Sequence, residues 1–177
     1  MLLRLVNGAF IMLLGLSLWV VMGLRRVSPR ISARLQRALV RLHLKVYHAT
    51  DGILGGHIPA SGPIVILTTT GRKTGRLRQT PLLYLPDGED LVIVASNGGA
   101  GPHPAWYLNL QNERGARAQI PVYRAARTGR AFGVLAEEVH GEERSRLWRH
   151  LTEMYPLYEN YQRRTARQIP VLRLRAQ

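Results

Sequence analysis

The hydrophobic pattern of this chain changes rhythm along its length, and each change marks an element. Residues Leu5 to Leu24 are twenty uncharged, mostly apolar positions with no polar face. As a helix rising about 1.5 Å per residue they reach roughly 30 Å, the thickness of a bilayer's hydrocarbon core. Over 31–48 the period becomes helical: Ile31, Leu35, Ala38, Leu39, Leu42 and Val46 recur on one face and Arg34, Arg37 and Arg41 on another, which predicts an amphipathic helix. Past the segment Pro59 to Pro63 the pattern is that of strands. IVILTTT (64–70) is the β-branched run of a buried strand, and 77–86 and 91–96 read as two more, joined by Asp87-Gly88-Glu89-Asp90 as a hairpin. Pro104 suits the first turn of a helix that Ala105 to Gln111 continue, since its missing N–H would be unpaired there anyway. Strands near 116–124 and 130–139, helices at about 142–155 and 157–166, and a final strand at 169–174 complete the order.

Some six strands, short helices and a late strand that returns to the sheet predict a mainly β fold with helices (α+β), a small closed or half-closed β-barrel. An open α+β sheet fits the same pattern. With 177 residues the chain has room for one domain and an appendage. The expected division is 1–24 as a membrane helix or hydrophobic anchor, 25–50 as a basic amphipathic helix, and 51–177 as the globular domain. A cleaved signal peptide would need a shorter apolar region and a small-residue cleavage site, which GLRRVSPR does not provide. A buried or dimerising helix is the other reading of the run.

Charge sharpens this picture. The formal net charge is +14, but residues 1–50 hold eight Arg or Lys and no Asp or Glu, leaving 17 basic and 11 acidic residues in 51–177. That smaller surplus suits an anionic small molecule at least as well as a polynucleotide, and no aromatics are interleaved with the N-terminal arginines as a nucleic-acid binder would have them. Arg25, Arg26, Arg30, Arg34, Arg37 and Arg41 follow the apolar run and only Arg4 precedes it. The bias places the bulk of the protein on the cytoplasmic side of a cell membrane. The cationic helix 31–48 either lies on anionic lipid, at about 1 kcal/mol per basic residue, or rests on the barrel with a solvated Arg face. Cysteine is absent, so disulfides and cysteine catalysis are excluded, and the six histidines have no metal-ligand spacing.

Three stretches could carry chemistry. Thr68-Thr69-Thr70-Gly71-Arg72-Lys73-Thr74-Gly75-Arg76 runs from a strand into a turn with two glycines and three cations, which is anion-binding chemistry. It lacks the glycine spacing and GK[ST] order of a Walker A loop. Ala95-Ser96-Asn97-Gly98-Gly99-Ala100-Gly101 leaves a strand into a glycine-rich loop; with Val94 in place of glycine, Ser96 is no hydrolase elbow. Trp106 and Asn109 share a helix face, and Tyr155, Tyr158 and Tyr161 recur at i, i+3 and i+6. Such aromatic stripes are ordinarily core, but three phenols can also form an apolar wall with polar tips.

The block GRKTGRLRQTPLLYLPDGEDLVIVASNGGAGPHPAWYLNL, with the tail MYPLYENYQRRTARQIPVLRL, resembles the deazaflavin-dependent nitroreductase family over roughly residues 50–174. That resemblance implies a split β-barrel of the flavin-binding oxidoreductase type and coenzyme F420, an 8-hydroxy-5-deazaflavin, as cofactor, with FMN the lesser alternative. It implies that Arg72, Lys73 and Arg78 hold the coenzyme's phosphate and acidic tail, that Thr80, Pro81 and Leu82 line its ring, and that Ala95, Ser96, Trp106 and Asn109 border it. Tyr155, Tyr158 and Tyr161 would face the substrate together with Leu83, where relatives carry tyrosine. Asn97 stands where some relatives have lysine. Tyr158 and Ser96 are the candidates for catalytic hydrogen bonding or proton delivery. The expected activity is hydride transfer from the reduced coenzyme to a lipophilic, quinone-like or nitroaromatic acceptor at the membrane. A non-catalytic flavin- or deazaflavin-binding module and an FMN reductase on the same barrel are the competing expectations.

Overall fold

The computed structural model describes residues 29–59, 61–121 and 131–177. The apolar run Leu5–Leu24, with the anchor expected there, lies outside the described residues, as do the strand ends expected at 122–124 and 130. The described residues fall into two compact units, 29–59 with Pro121 and 61–120 with 131–177.

The first unit is built on helix α1 (Pro29–Ala49). Arg34, Arg37, Ala38, Arg41, Leu42, Lys45 and His48 are exposed along it, a stripe at three- and four-residue spacing. Leu42 is half exposed within that cationic stripe, whereas Tyr47 is fully buried. The helix ends where Thr50 and Gly52 take over its last carbonyls: the Thr50 hydroxyl donates to Val46 O (2.8 Å) and the Gly52 N–H to Tyr47 O (2.8 Å). Gly52 has φ +77°, and a Cβ there would stand 2.9 Å from Pro121 Cα. His43 Nε2 meets Gly55 O at 2.8 Å, and burial lowers the His43 pKa despite that bond. A two-residue strand, β1 (His57–Ile58), follows. No described helix is long and apolar enough to cross a membrane.

The second unit is a closed antiparallel barrel of six strands: β2 (Gly62–Thr70), β3 (Leu77–Asp87), β4 (Asp90–Val94), β5 (Gly115–Gln119), β6 (Phe132–Glu138) and β7 (Val171–Ala176). The order is β2-β3-β4-β7-β6-β5, and β5 pairs back onto β2 through Ile66↔Gln119, Leu67↔Ala118 and Thr68↔Arg117. Side chains alternate across the wall. Val65, Leu67, Tyr84, Leu91, Ile93, Ala118, Val134, Ala136, Leu172 and Leu174 form the inner cluster. Helix α2 (Ala105–Asn112) adds Trp106, Tyr107 and Leu110 to it. The β3–β4 hairpin is tighter than the four-residue connection expected. Asp87 and Asp90 pair across the ladder, leaving Gly88 (φ +66°) and Glu89 as a two-residue turn.

Helix α3 (Gly141–Met154) covers part of the outer wall at β3 and β7 with Leu147 and Leu151, both fully buried. Beneath it, Arg173 projects outward from β7 and is only 8% exposed. Two like charges face each other across the hairpin end, a destabilising arrangement on its own. Arg173 neutralises it by donating to Asp90 (2.9 Å), Asp87 (2.7 Å) and Glu143 (2.7 Å), while Arg146 also bonds Asp87 at 3.0 Å. Burial opposes the Arg173 charge, but these carboxylates more than offset it and raise its pKa. The bond from Arg146 is the main reason the Asp87 carboxyl is held below its usual value, with Arg173 adding to it.

Arg173→Met is therefore expected to cost about 2 kcal/mol at neutral pH in denaturant unfolding, between the values for exposed and buried pairs. Because the folded-state pKa of Asp87 is depressed, its contribution is present above the ordinary value of 3.8 and is lost as pH falls through the lower folded one. The wild-type advantage should shrink below that pH. A difference that stays constant down to acid would assign the effect to packing instead.

Candidate active site

The basic turn is rigid at its base and free at its tip. Gly71 N–H donates to Arg76 O (2.9 Å), and the Thr74 and Gly75 N–H groups both donate to Gly71 O (3.0 and 2.8 Å). Asn109 locks this turn to helix α2. Its amide donates to Thr69 Oγ1 (3.0 Å), and its Oδ1 accepts the Arg72 N–H (3.2 Å) and a longer contact from the Arg72 guanidinium (3.5 Å). Asn109 and Thr69 are both buried, so the amide expected to need partners finds them in the turn itself. Arg72, Lys73, Arg76 and Arg78 are all exposed, and among the described residues none of them enters a salt bridge. Arg78 lies opposite Thr69 in the β2–β3 ladder, followed by Thr80 opposite Leu67, Pro81 opposite Ile66, Leu82 opposite Val65 and Leu83 opposite Ile64. Thr80 to Leu83 are half-buried.

A second cluster forms around the glycine-rich loop. Ser96 is right-handed (φ −69°, ψ −38°), and Asn97, Gly98 and Gly99 are left-handed in succession (φ +49°, +64° and +78°). An αR–αL sequence of this kind turns consecutive N–H groups toward one concavity, an anion- or carbonyl-binding nest. The conformation also explains Asn97, because asparagine tolerates φ > 0 better than other side-chain-bearing residues. Its side chain holds the bend by donating to Pro102 O at 2.9 Å. Gly99 sits against helix α4 (Leu157–Arg163), where a Cβ would lie 2.7 Å from Tyr161 O.

The three tyrosines meet, but not as one helical stripe. Tyr155 is the extended residue ending α3 (φ −142°, ψ 87°), because Pro156 disfavours a helical residue before it. Tyr158 and Tyr161 belong to α4. Their rings still gather edge-to-face, with centroids 5.0 Å apart for Tyr155–Tyr158 and 6.3 Å for Tyr158–Tyr161, and the Tyr155 and Tyr161 hydroxyls are 3.3 Å apart. Tyr158 is buried, which raises its pKa and keeps the phenol protonated at neutral pH.

Helix α2 connects the two clusters, with Pro104 capping its start after the glycine loop and Asn109 on the basic turn five residues on, about 7.5 Å along the axis. Trp106 is a member of the barrel core with its ring edge-on to Tyr107 at 6.3 Å. Several residues here gave no sequence signal. Arg167 binds the glycine loop, His103 stacks on Tyr107 at 4.7 Å, and the Tyr107 hydroxyl donates to Glu138 at 2.7 Å. Burial and Glu138 push the Tyr107 pKa up to about 12. His103, Tyr107 and Arg167 stand within the blocks quoted above, but nothing local singles them or Glu138 out, since the polar contacts join residues between 31 and 72 apart in the chain.

Comparison with known proteins decides the family. Residues 39–175 match the profile of the F420H(2)-dependent quinone reductases. The chain belongs to that family. It is therefore an oxidoreductase that uses coenzyme F420, on the split barrel that the resemblance implied. An F420H(2)-dependent quinone reductase of Mycobacterium tuberculosis (strain H37Rv) is 40% identical over 137 residues, covering 76% of this chain and 87% of that protein. Among solved structures, an F420-H2-dependent reductase (FDR-A) superposes with a TM-score of 0.55 at 36% identity, covering 63% of this chain and 93% of that one. A chain described as a domain-swapped dimer gives 0.56 at 32% identity, covering 83% and 98%.

The loop geometry yields a contrast between neighbouring glycines. Gly99→Ala forces a Cβ onto the Tyr161 carbonyl at φ +78° and should destabilise the protein by about 2 kcal/mol or more and displace the loop. Gly101→Ala meets open space and should be near neutral. Equal melting temperatures for the two variants would show that the loop relaxes away from α4.

Proposed function

We propose that this protein transfers a hydride from reduced coenzyme F420 to a quinone at a membrane surface, with nitroaromatic reduction as a side activity. The observation that carries the reading is the basic turn: four exposed cations without salt bridges among the described residues, on a backbone held by a buried asparagine. Exposed cations on a fixed turn match an anionic phosphate and acidic tail, and this chemistry fits Arg72, Lys73 and Arg78 as its holders. Thr80, Pro81 and Leu82 on β3 then run beside the ring, with Ala95, Ser96, Trp106 and Asn109 along its border. Bound F420H2 supplies the hydride. The chain supplies position, exclusion of water and a proton source. Tyr155, Tyr158 and Tyr161, with Leu83, form the acceptor wall, whose rings stack with a flat acceptor and shed water from it. The protonated Tyr158 hydroxyl, or that of Ser96, donates a hydrogen bond to an acceptor oxygen as charge builds there.

The membrane part of the reading is supported by two features. Leu5–Leu24 is long enough to cross or enter a bilayer, and the exposed face of α1 carries Arg34, Arg37, Arg41 and Lys45 with no carboxylate in residues 1–50. On this reading residues 1–24 anchor the chain, 25–50 lie on the lipid and 51–177 work on the cytoplasmic side, where membrane-dissolved quinones are the most frequent acceptors.

Two measurements test this. Replacing Arg72 and Lys73 together by alanine should weaken F420 binding at least tenfold and flatten its salt dependence, since charge-assisted bonds contribute about 1.5–3 kcal/mol each before screening. Unchanged affinity removes the turn from the site. With reduced F420 supplied, the full chain should reduce a lipophilic quinone in anionic vesicles faster than a soluble nitroaromatic, and Tyr158→Phe should lower turnover without changing F420 affinity. If quinone accepts no electrons, or vesicles give no advantage, the membrane-quinone reading fails.

A further inference from the structure

The glycine-rich loop is shaped locally but held from a distance. Its own bonds, Gly99 N–H to Ser96 O (3.0 Å), Ala100 N–H to Asn97 O (3.2 Å) and the Asn97 side chain to Pro102 O (2.9 Å), all close within the loop. They fix its curvature and leave its orientation to other contacts. Beside the Ala95 N–H to Pro170 O bond (2.9 Å) and the packing of Gly99 on α4, one guanidinium supplies most of these contacts. Arg167, in the connector between α4 and β7, donates through Nη2 to Ala95 O (3.1 Å) and Ser96 O (2.9 Å) and through Nε to Ala100 O (3.3 Å), and its Nη1 lies 3.4 Å from His103 Nδ1. Arg167 is itself held by Gln162 of α4. The Gln162 amide donates to Arg167 O (2.9 Å), and its Oε1 accepts the Ile169 N–H (2.9 Å).

Peptide planarity turns these contacts into a statement about the site. In a trans peptide the C=O and the next N–H point in opposite directions. With the Ala95 and Ser96 carbonyls both turned onto Arg167, the N–H groups of Ser96 and Asn97 must face the other way, as the first members of the nest. We propose that Arg167 is a positioning residue for the cofactor site, orienting the Ser96 and Asn97 peptides toward the ring and coupling them through Gln162 to the tyrosine-bearing helix α4. This rests on the cofactor placement proposed above. Lysine replaces it only in part, since a single ammonium lacks the planar fork that spans three carbonyls.

The test combines steady-state kinetics with F420H2 and a soluble quinone and hydrogen exchange of the cofactor-free full chain. Arg167→Gln is expected to lower kcat/KM by about 10–100-fold, the range that a small misplacement of a site produces. Amides 96–99 should exchange faster, with the barrel strands unchanged. Arg167→Lys should fall between, and Gln162→Met, which loosens the Arg167 and Ile169 backbone without removing the guanidinium, should show a weaker effect of the same kind. Wild-type kcat/KM in a folded Arg167→Gln, or faster exchange spread evenly over the barrel, overturns the proposal. Should Arg167→Gln fail to fold, wild-type kcat/KM in both Arg167→Lys and Gln162→Met overturns it equally. If the wild-type chain itself does not oxidise F420H2, the functional reading fails instead, and the loop-specific exchange still decides whether Arg167 orients these peptides.

Discussion

Strand β2 is paired on both sides, with β3 from Ile64 to Thr70 and with β5 at Ile66 to Thr68, and the rest of the second unit depends on that double pairing. Closing the sheet removes its free edges and sorts every strand into inward and outward side chains. The inward side chains of the six strands do not make the core alone. Helix α2 completes the filling with Trp106, Tyr107 and Leu110. Its position is therefore set by the core. The two segments it touches at its ends, the glycine loop and the basic turn, are placed as a consequence.

Irregular backbone at a barrel end has polar groups that no ladder satisfies, and here single side chains meet that need. Asn109 serves the basic turn from one end of α2, and Arg167 serves three carbonyls of the glycine loop. Each contact replaces water on a peptide group with a donor or acceptor on rigid structure, so the loops need not be long or ordered by their own packing. The arrangement keeps the glycines that give the loop its left-handed turn while limiting the freedom they would otherwise bring.

Among the described residues, basic side chains do two different kinds of work. Arg173 is enclosed by three carboxylates, Arg167 by carbonyls, and Arg144 donates to Ile169 O while lying over the Trp148 ring at 5.0 Å. These arginines hold the fold, and their charge is spent on neighbours. Arg72, Lys73, Arg76 and Arg78 on the barrel, and Arg34, Arg37, Arg41 and Lys45 on α1, are exposed. A net-charge figure mixes the two kinds, and it is exposed cations such as the second group, not enclosed ones such as the first, that can meet an anion or a lipid surface.

The elements themselves were legible in the chain, because strand alternation, the Asp-Gly hairpin and the α1 periodicity are local properties of neighbouring residues. So were the basic turn and the glycine loop, whose glycines and cations stand together in the sequence. Boundaries shifted where proline intervened, as at Tyr155-Pro156, which breaks a stripe that spacing alone would run through one helix. Closure of the sheet was not legible, since an open sheet has the same pattern and only the β2–β5 register distinguishes them. Nor were the partners of Asn109, Arg167 and Arg173, which lie between 30 and 86 residues away along the chain. Sequence determined which segments could form strands, helices and an anion-binding turn because those preferences act within a few residues. The tertiary structure decided which polar groups meet, because hydrogen bonds and ion pairs are short-ranged in space and indifferent to separation along the chain.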